Sequence, residues 1–393
     1  MAPTATPAQG QQMSPWQINM AARRQVLSQS VKRKQQIFSQ TFNPQNGNVV
    51  TCNTILAVGL LLRFTVQVTA TFSVTPSTTP VATDFGAQNL LSNIQFTDLQ
   101  NNQRHNAPGL QFVMTQSFKD KMPYVSANNF GQTEGNFGAN WTLTGTTAPT
   151  SSVVGSAEAW YEIPIAYSDD DLRGAIYANV VSNQMNLQLT VNPRPVATAP
   201  ADDTFAVFAA AAASAQSNIT SVTINIYQEY LDQLPIGQQG IVLPQLDIST
   251  LYQLLYTNFA NLTAGQDNYV QYTNFRRFMS LITIFNSTGA AGGRLTGGDI
   301  TFWKLVSANL TSIFQESPFE RARVQRRILG TDPPPGTYYF PSRKQPIYTL
   351  ASGNMQLDLV PTTASASAYL FVMWEFFAQQ NTLVQAGSLS AGS

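Results

Sequence analysis

Residues able to do chemistry are scarce in this chain. His105, in NNQRHNAP, is its one histidine and Cys52 its one cysteine. A Ser-His-Asp or Cys-His nucleophilic site would have to be built on one of them. Cys52 lies in a strand-like stretch, and His105 reads as a hydrogen-bonded loop residue. Neither belongs to a metal-ligand spacing, so no metal is expected. GGRLTGG, Gly292 to Gly298, lacks the Gly-Lys-Ser/Thr that cradles phosphates and reads as a flexible loop. Asp169, Asp170 and Asp171 could hold calcium, but carboxylates at an expected helix start are accounted for by the helix dipole alone. Glu158 and Glu162 could be forced into the carboxylate pair of a glycosidase, though nothing singles them out. Arg321, Arg323, Arg326 and Arg327 fall on one expected helix, where solvation or ion pairs between subunits fit better than nucleic acid. No catalytic residue and no cofactor is expected.

The composition points the same way. Of 393 residues, 43% are hydrophobic but only 11% are charged, against roughly 25% in an ordinary soluble domain. Asn, Gln, Ser and Thr fill the difference. Such a surface hydrogen-bonds freely and repels its own copies weakly, which suits dense association. A single cysteine excludes an internal disulfide framework. The opening MAPTATPAQGQQ has no apolar h-region, so synthesis in a reducing compartment is expected. No stretch reads as a membrane span, because TILAVGLLLRFTVQV is cut by Arg63 and then alternates.

Charge is neutral in sum but uneven. The first 83 residues hold Arg23, Arg24, Lys32, Arg33, Lys34 and Arg63 with no Asp or Glu before Asp84. That excess implies an anionic partner. Trp16 to Gln40 contains no Gly or Pro, and Ser14-Pro15 offers an N-cap with Pro at the first helical position. One helix is therefore expected here, with Trp16, Met20, Leu27, Val31 and Phe38 on one face. Docking on its own body, contact with anionic lipid and contact with nucleic acid all remain open for it.

The period then changes. RFTVQVTATFSV, Arg63 to Val74, alternates as a half-buried strand does. Further strands are expected at 141–144, 159–166, 186–191, 221–227, 269–272, 281–285, 347–350, 356–360 and 369–377. The last is apolar on both faces, as a central strand is. Many short strands with long loops indicate sandwiches or jelly rolls. Two capping signatures echo one another. Ser168 with Asp171 predicts a helix to about Asn183, and Ser317 with Glu320 predicts one ending at Gly330. One helix per half suggests two copies of one architecture. Between them lies YQEYLDQLPIGQQGIVLPQLDISTLYQLL, whose Pro235, Gly237, Gly240 and Pro244 suit a joint better than a catalytic cradle.

This connector resembles the middle of the major capsid protein of tectiviruses, tailless icosahedral phages with a membrane inside the shell. Six further blocks are similar in the same order: TDFG from Thr83, NQRH from Asn102, IPIAYSDDDLRGA from Ile163, VQYTNFRRFMS from Val270, QRRI from Gln325 and KQPIYTLASGN from Lys344. The loop 146–156 and the run Ala209 to Ala213 do not obviously align. The resemblance implies a mainly β double jelly roll, two eight-stranded sandwiches side by side with an inserted helix in each half and an N-terminal helix. It implies these parts: an arm and basic amphipathic helix over 1–45, a first jelly roll over 46–234, a connector over 235–247, a second jelly roll over 248–384 and a tail over 385–393. It implies homotrimeric, pseudo-hexagonal capsomers tiling an icosahedral shell in the virion, made in the host bacterial cytoplasm. Partners would be other copies, internal-membrane lipids and minor and vertex capsid proteins, with no sequence-specific nucleic acid. Arg23, Arg24, Lys32, Arg33 and Lys34 would face the membrane. Tyr227, Tyr230, Leu231, Leu234, Pro235, Gly237, Pro244 and Tyr252 would seal the seam between sandwiches. The competing classes are a trimeric spike or adhesin and a polysaccharide hydrolase on a β scaffold.

Overall fold

A computed structural model describes residues 13–44, 48–74, 83–120, 139–141, 153–179, 184–192, 204–208, 219–238, 240–260, 262–272, 277–287, 294, 297–307, 310–330, 334, 336–342, 347–348, 355–362 and 368–379. The arm before residue 13, the Ala209 to Ala213 run and the tail 385–393 lie outside them. The first half holds α1 (Pro15–Gln29), β1 (Val31–Phe42), β2 (Val49–Cys52), β3 (Leu60–Val74), β4 (Leu91–Thr97), β5 (Gln103–Ala107), α2 (Gly109–Lys119), β6 (Ala139–Trp141), β7 (Val153–Pro164), β8 (Ile176–Tyr177), β9 (Asn186–Val191) and β10 (Ile219–Asp232). A connector with β11 (Ile236–Gly237), β12 (Gly240–Ile241) and a helical turn α3 (Gln245–Ile248) follows. The second half holds β13 (Thr250–Ala260), β14 (Asn268–Tyr272), β15 (Arg277–Ser287), β16 (Ile300–Ser307), β17 (Leu310–Glu316), α4 (Pro318–Leu329), β18 (Thr337–Pro341), β19 (Ile347–Tyr348), β20 (Met355–Pro361) and β21 (Ala368–Gln379).

Each half is a sandwich of two antiparallel sheets. In the first, β1-β10-β3-β7 faces β5-β4-β9-β2. Alternation along β3 and β10 sends Phe64, Val66, Val68, Phe72, Ile224 and Ile226 inward to meet Ile94, Phe96, Leu187 and Leu189. In the second, β18-β15-β21-β13 faces β14-β20-β16-β17, around Trp303, Leu305, Leu357, Leu359, Leu370, Val372 and Trp374. Two such layers bury one face of every strand, which is what the period-2 pattern demands. The two sandwiches are not merely adjacent. Strand β5 pairs in parallel with β13, Leu254 opposite His105 and Leu255 opposite Asn106. One nine-stranded sheet therefore runs through both halves.

Strand β21 shows why a central strand is apolar on both sides. Leu370, Val372, Trp374 and Phe376 fill its own sandwich. Phe371 and Met373 face the other way, against the first half's Leu110, Met114 and Phe118.

Three expectations need correction. The helix expected to Gln40 stops at Gln29, and Ser30 is already extended (φ −84°, ψ 157°). Residues 31–42 form β1, the outermost strand of the first sandwich, with Val31 opposite Asp232 and Lys34 opposite Glu229. Lys and Gln carry good helix propensity, and pairing with β10 overrides it. Lys32, Arg33 and Lys34 thus stand on a sheet edge and not on a helix. Second, no helix starts at Ser168. Its Oγ does accept the Asp171 N–H at 3.1 Å, but Gly174 then takes φ +95°, which a helix cannot contain. The first half's inserted helix is α2 instead. Third, His105 is not in a loop: it sits fully buried on β5.

Candidate functional site

The seam between the halves gathers a cluster of buried polar side chains. His105 stands at its centre. Its Nδ1 accepts the Leu254 N–H at 3.2 Å and its Nε2 lies 2.6 Å from the Pro164 carbonyl. The first contact fixes the tautomer, so Nε2–H is the donor to Pro164. One imidazole therefore joins β13 of the second half to the end of β7 in the first. Burial, with a further push from Arg104, drops its pKa to about 3 despite the Pro164 hydrogen bond. Both ring nitrogens are committed to main chain, a structural latch and not the pose of a general base. Arg104 beside it is buried and pairs with Asp98 at 2.8 Å. Burial pulls its pKa down, and Asp98 opposes that.

Other bonds cross the same seam. Gln111 of α2 donates to the carbonyls of Leu255 (3.1 Å) and Trp374 (3.2 Å). Gln253 donates to the Gln103 carbonyl at 2.7 Å. Asp84 pairs with Arg294, the arginine of the Gly292 to Gly298 stretch; burial lowers that guanidinium's pKa to about 10. On the second half's side of the seam, Tyr252 donates to Glu375 at 2.7 Å, and Ser280 donates to the other oxygen of the same carboxylate. Tyr252 packs edge-on to Tyr167 and His105. The Lys119 ammonium lies over the Tyr167 ring, 3.4 Å from its centroid, and burial depresses its pKa.

The residues expected at the seam divide into three groups. Tyr252 lies in it. Tyr230, Leu231, Leu234, Pro235 and Pro244 lie at the connector: Leu231 is buried with Val26, Leu60, Leu62 and Leu172, with Leu234 packed alongside, and Pro244 is buried where it starts α3. Gly237 lies in the small β11–β12 hairpin. Tyr227 is elsewhere, half-buried on the outer face of β10, stacked on Trp160 at 6.3 Å. Sequence reasoning missed His105, Gln111, Arg104 and Glu375 because the signal is tertiary. The only local hint was a lone glutamate in an otherwise apolar strand.

The N-terminal basic residues are also redistributed. Arg23 reaches back to the connector, with its Nη2 and Nε at 2.5 Å from the Asp247 carboxylate and its Nη2 3.3 Å from Asp171. The Asp247 hydrogen bond raises its pKa against the cost of burial. Asn19 donates to Asp247 too, at 3.0 Å. So α1 docks through Asn19, Arg23 and Val26 with Leu27 packed alongside, while Trp16, at the start of the expected stripe, stays exposed. Lys32 and Lys34 pair with Glu229, and Arg33 with Asp232. Arg24 is exposed. Asp169 and Asp171 are taken up by Arg63, Lys32, Arg23 and Arg173, and no metal-holding acidic group occurs among the described residues. Glu162 pairs with Arg63.

An all-β pair of sandwiches locked by buried hydrogen bonds is built to hold a shape, and comparison with known proteins agrees. The N-terminal family of P3 major capsid proteins matches residues 6–234, and the C-terminal family matches 249–391. The chain belongs to the P3 major capsid protein family. It is 34% identical to the major capsid protein P3 of Enterobacteria phage PRD1, across 98% of this chain and 99% of that one. In fold it is similar to the STIV MCP, with a TM-score of 0.61, 11% identity and coverage of 89% of this chain and 97% of that one. PBCV-1 VP54 is also similar, with a TM-score of 0.53, 12% identity and coverage of 88% and 94%. The double jelly roll is the shared architecture, and the chain is a major capsid protein of a PRD1-like phage, a component of the virion shell. The family is structural and not an enzyme family.

Proposed function

We propose that this capsid protein works as a homotrimer whose six sandwiches form a pseudo-hexagonal block, and that these blocks tile an icosahedral shell. The observation that carries the reading is the continuous sheet through β5 and β13. It makes two similar bodies one rigid unit, so three chains supply six nearly equal blocks. A weakly charged surface lets many shallow contacts sum over many copies. Sedimentation equilibrium of the purified chain tests it: a tight trimer is expected, and a monomer at every concentration would sink it.

The side with α1 is proposed to face the internal membrane, with minor and vertex proteins meeting the shell elsewhere. The support is no longer a basic helix, since four of the five expected cations are paired within the chain. It is instead that α1 leaves Trp16 64% and Ile18 56% exposed, with Arg24 on the same short helix. An interfacial Trp with one cation is a weak single anchor that a shell multiplies. Flotation of trimers with anionic vesicles should fall when Trp16→Ser and Ile18→Ser are combined; unchanged flotation removes the lipid role.

A further inference from the structure

The two inserted helices occupy the same place in their halves and have opposite surroundings. Each is preceded by the last strand of one sheet of its own sandwich: β5 ends at Ala107 and β17 at Glu316, and the N-caps are Pro108 and Ser317. Aligned on those caps, Leu110, Met114 and Phe118 of α2 correspond to Phe319, Arg323 and Arg327 of α4. The first three are buried against the second half, on Ile282, Ile284, Phe371 and Met373. The second three are exposed, Phe319 at 82%. The face that the chain covers on α2 is thus the face it leaves open on α4.

The surface that α2 covers also has a counterpart. The last strand of each half carries an outward glutamate before an aromatic residue, Glu229-Tyr230 and Glu375-Phe376. By pairing register, Met373 and Phe371 then correspond to Tyr227 and Asn225, and Ile282 and Ile284 to Thr65 and Gln67. This outer face of β10-β3-β7 is polar. Glu158 accepts from Gln67 at 2.7 Å and from Trp160 at 2.6 Å, both neutral donors, while Glu162, beyond Trp160 on the same face of β7, pairs with Arg63. Arginines supply only donors, and such carboxylate and amide oxygens are their acceptors.

The strand edges complete the match. Within the chain, β5 lies along β13. Its counterpart β17 is the outer strand of its own sheet, and β1, the counterpart of β13, is the outer strand of its sheet. The caps place Phe314-Gln315 where His105-Asn106 stand, and the glutamate register places Lys34-Gln35 where Leu254-Leu255 stand.

We infer that β17 and the arginine face of α4 dock on β1 and the outer face of β10-β3-β7 of a second copy, repeating between chains the seam that joins the halves within one. Phe314-Gln315 of one copy lies beside Lys34-Gln35 of the next, and Arg323 and Arg327 cover the Gln67–Glu158–Trp160 region. The contact is head-to-tail and not self-complementary, and the threefold rotation of the trimer reading closes it into a ring. The inference rests on the trimer reading and adds the surfaces that make it.

The test places Arg323→Cys and Gln67→Cys together in one chain and treats the assembled protein with a short bismaleimide; Cys52 is buried. A cross-linked ladder ending at trimer is expected from the double variant and from neither single one. Separately, Arg323→Glu with Arg327→Glu should keep the melting temperature and raise the trimer dissociation constant by about tenfold or more. Adding Glu158→Arg should recover part of that loss. Trimers that neither cross-link nor respond to charge reversal would overturn the assigned surfaces while leaving the trimer reading intact. A chain that stays monomeric would overturn both.

Discussion

Helices α2 and α4 are the same part of the same fold, yet one is buried on nearly every side and the other is half in water. The difference lies in when each face is covered. The α2 face meets its partner as the chain folds, so Leu110, Met114 and Phe118 can be oily. The α4 face is open to water in the single chain, and Arg323 and Arg327 stand where α2 has Met114 and Phe118, with Phe319 exposed at the third position. The sheet faces follow the same rule: Phe371 and Met373 in the covered one, Asn225 and Tyr227 in the open one.

The sharpest way to break this comparison is the same charge at matched positions. Phe371→Asp puts a carboxylate among Phe205, Met114 and Ile284 with no cation to meet it, so a loss of about 4 kcal/mol or more is expected. Asn225→Asp, on the open face, loses only its hydrogen bond to Gln67 and should cost about 1 kcal/mol. Urea denaturation of both variants reads the difference, and equal losses would mean the two faces are not distinct environments.

The next effect belongs to the latch. His105 is neutral in the fold, with a pKa of about 3, while the unfolded chain takes up a proton near the ordinary 6.5. Its contribution is fully present above that value and is lost as pH falls from 6.5 toward 3, on the order of 4 kcal/mol in total. His105→Gln should flatten the stability profile in that window at some cost at neutral pH. A wild-type profile already flat between pH 4 and 6.5 would contradict the buried, neutral histidine.

Gly174 marks a close approach between the halves. It holds φ +95°, and an added Cβ would lie 2.4 Å from the Ile165 carbonyl oxygen and 2.8 Å from the Tyr252 Cβ. Gly174→Ala should therefore cost about 2 kcal/mol or more, seen as a lower melting temperature. An unchanged melt would mean that the seam can open there without penalty.

What the sequence made legible follows from what each signal depends on. Alternation reports one buried face, so β3, β9, β14 and β20 stood out, and β21 stood out as a run apolar on both faces. The helix Pro318–Leu329 did too, because its Ser317 cap and its Gly330 stop (φ +76°) are local. β1 was hidden because its Lys and Gln residues lie on an exposed edge, where neither period is enforced. The break at Ser30 carries no Gly or Pro. Gly174 was the warning against a helix after Ser168. The seam was visible only as an excess of apolar residues on β21. Its polar partners come from segments far apart in sequence, and spacing cannot join them.

The smallest expected effect concerns the joint between α1 and the connector. Asp247 is nearly buried, at 4% side-chain exposure, and takes hydrogen bonds from Asn19 and Arg23. Asp247→Asn keeps its shape and one acceptor oxygen, and Arg23 keeps Asp171 at 3.3 Å. The loss should thus be about 1–2 kcal/mol, less than for an abandoned buried charge. Because it acts on one docked helix and not on a sandwich core, it should appear as local opening. Trypsin cleavage after Arg23 and Arg24 should quicken while the melting temperature barely moves. If the sandwiches melted earlier instead, α1 would be part of the cooperative core, and the connector would be bracing both halves through Asp247.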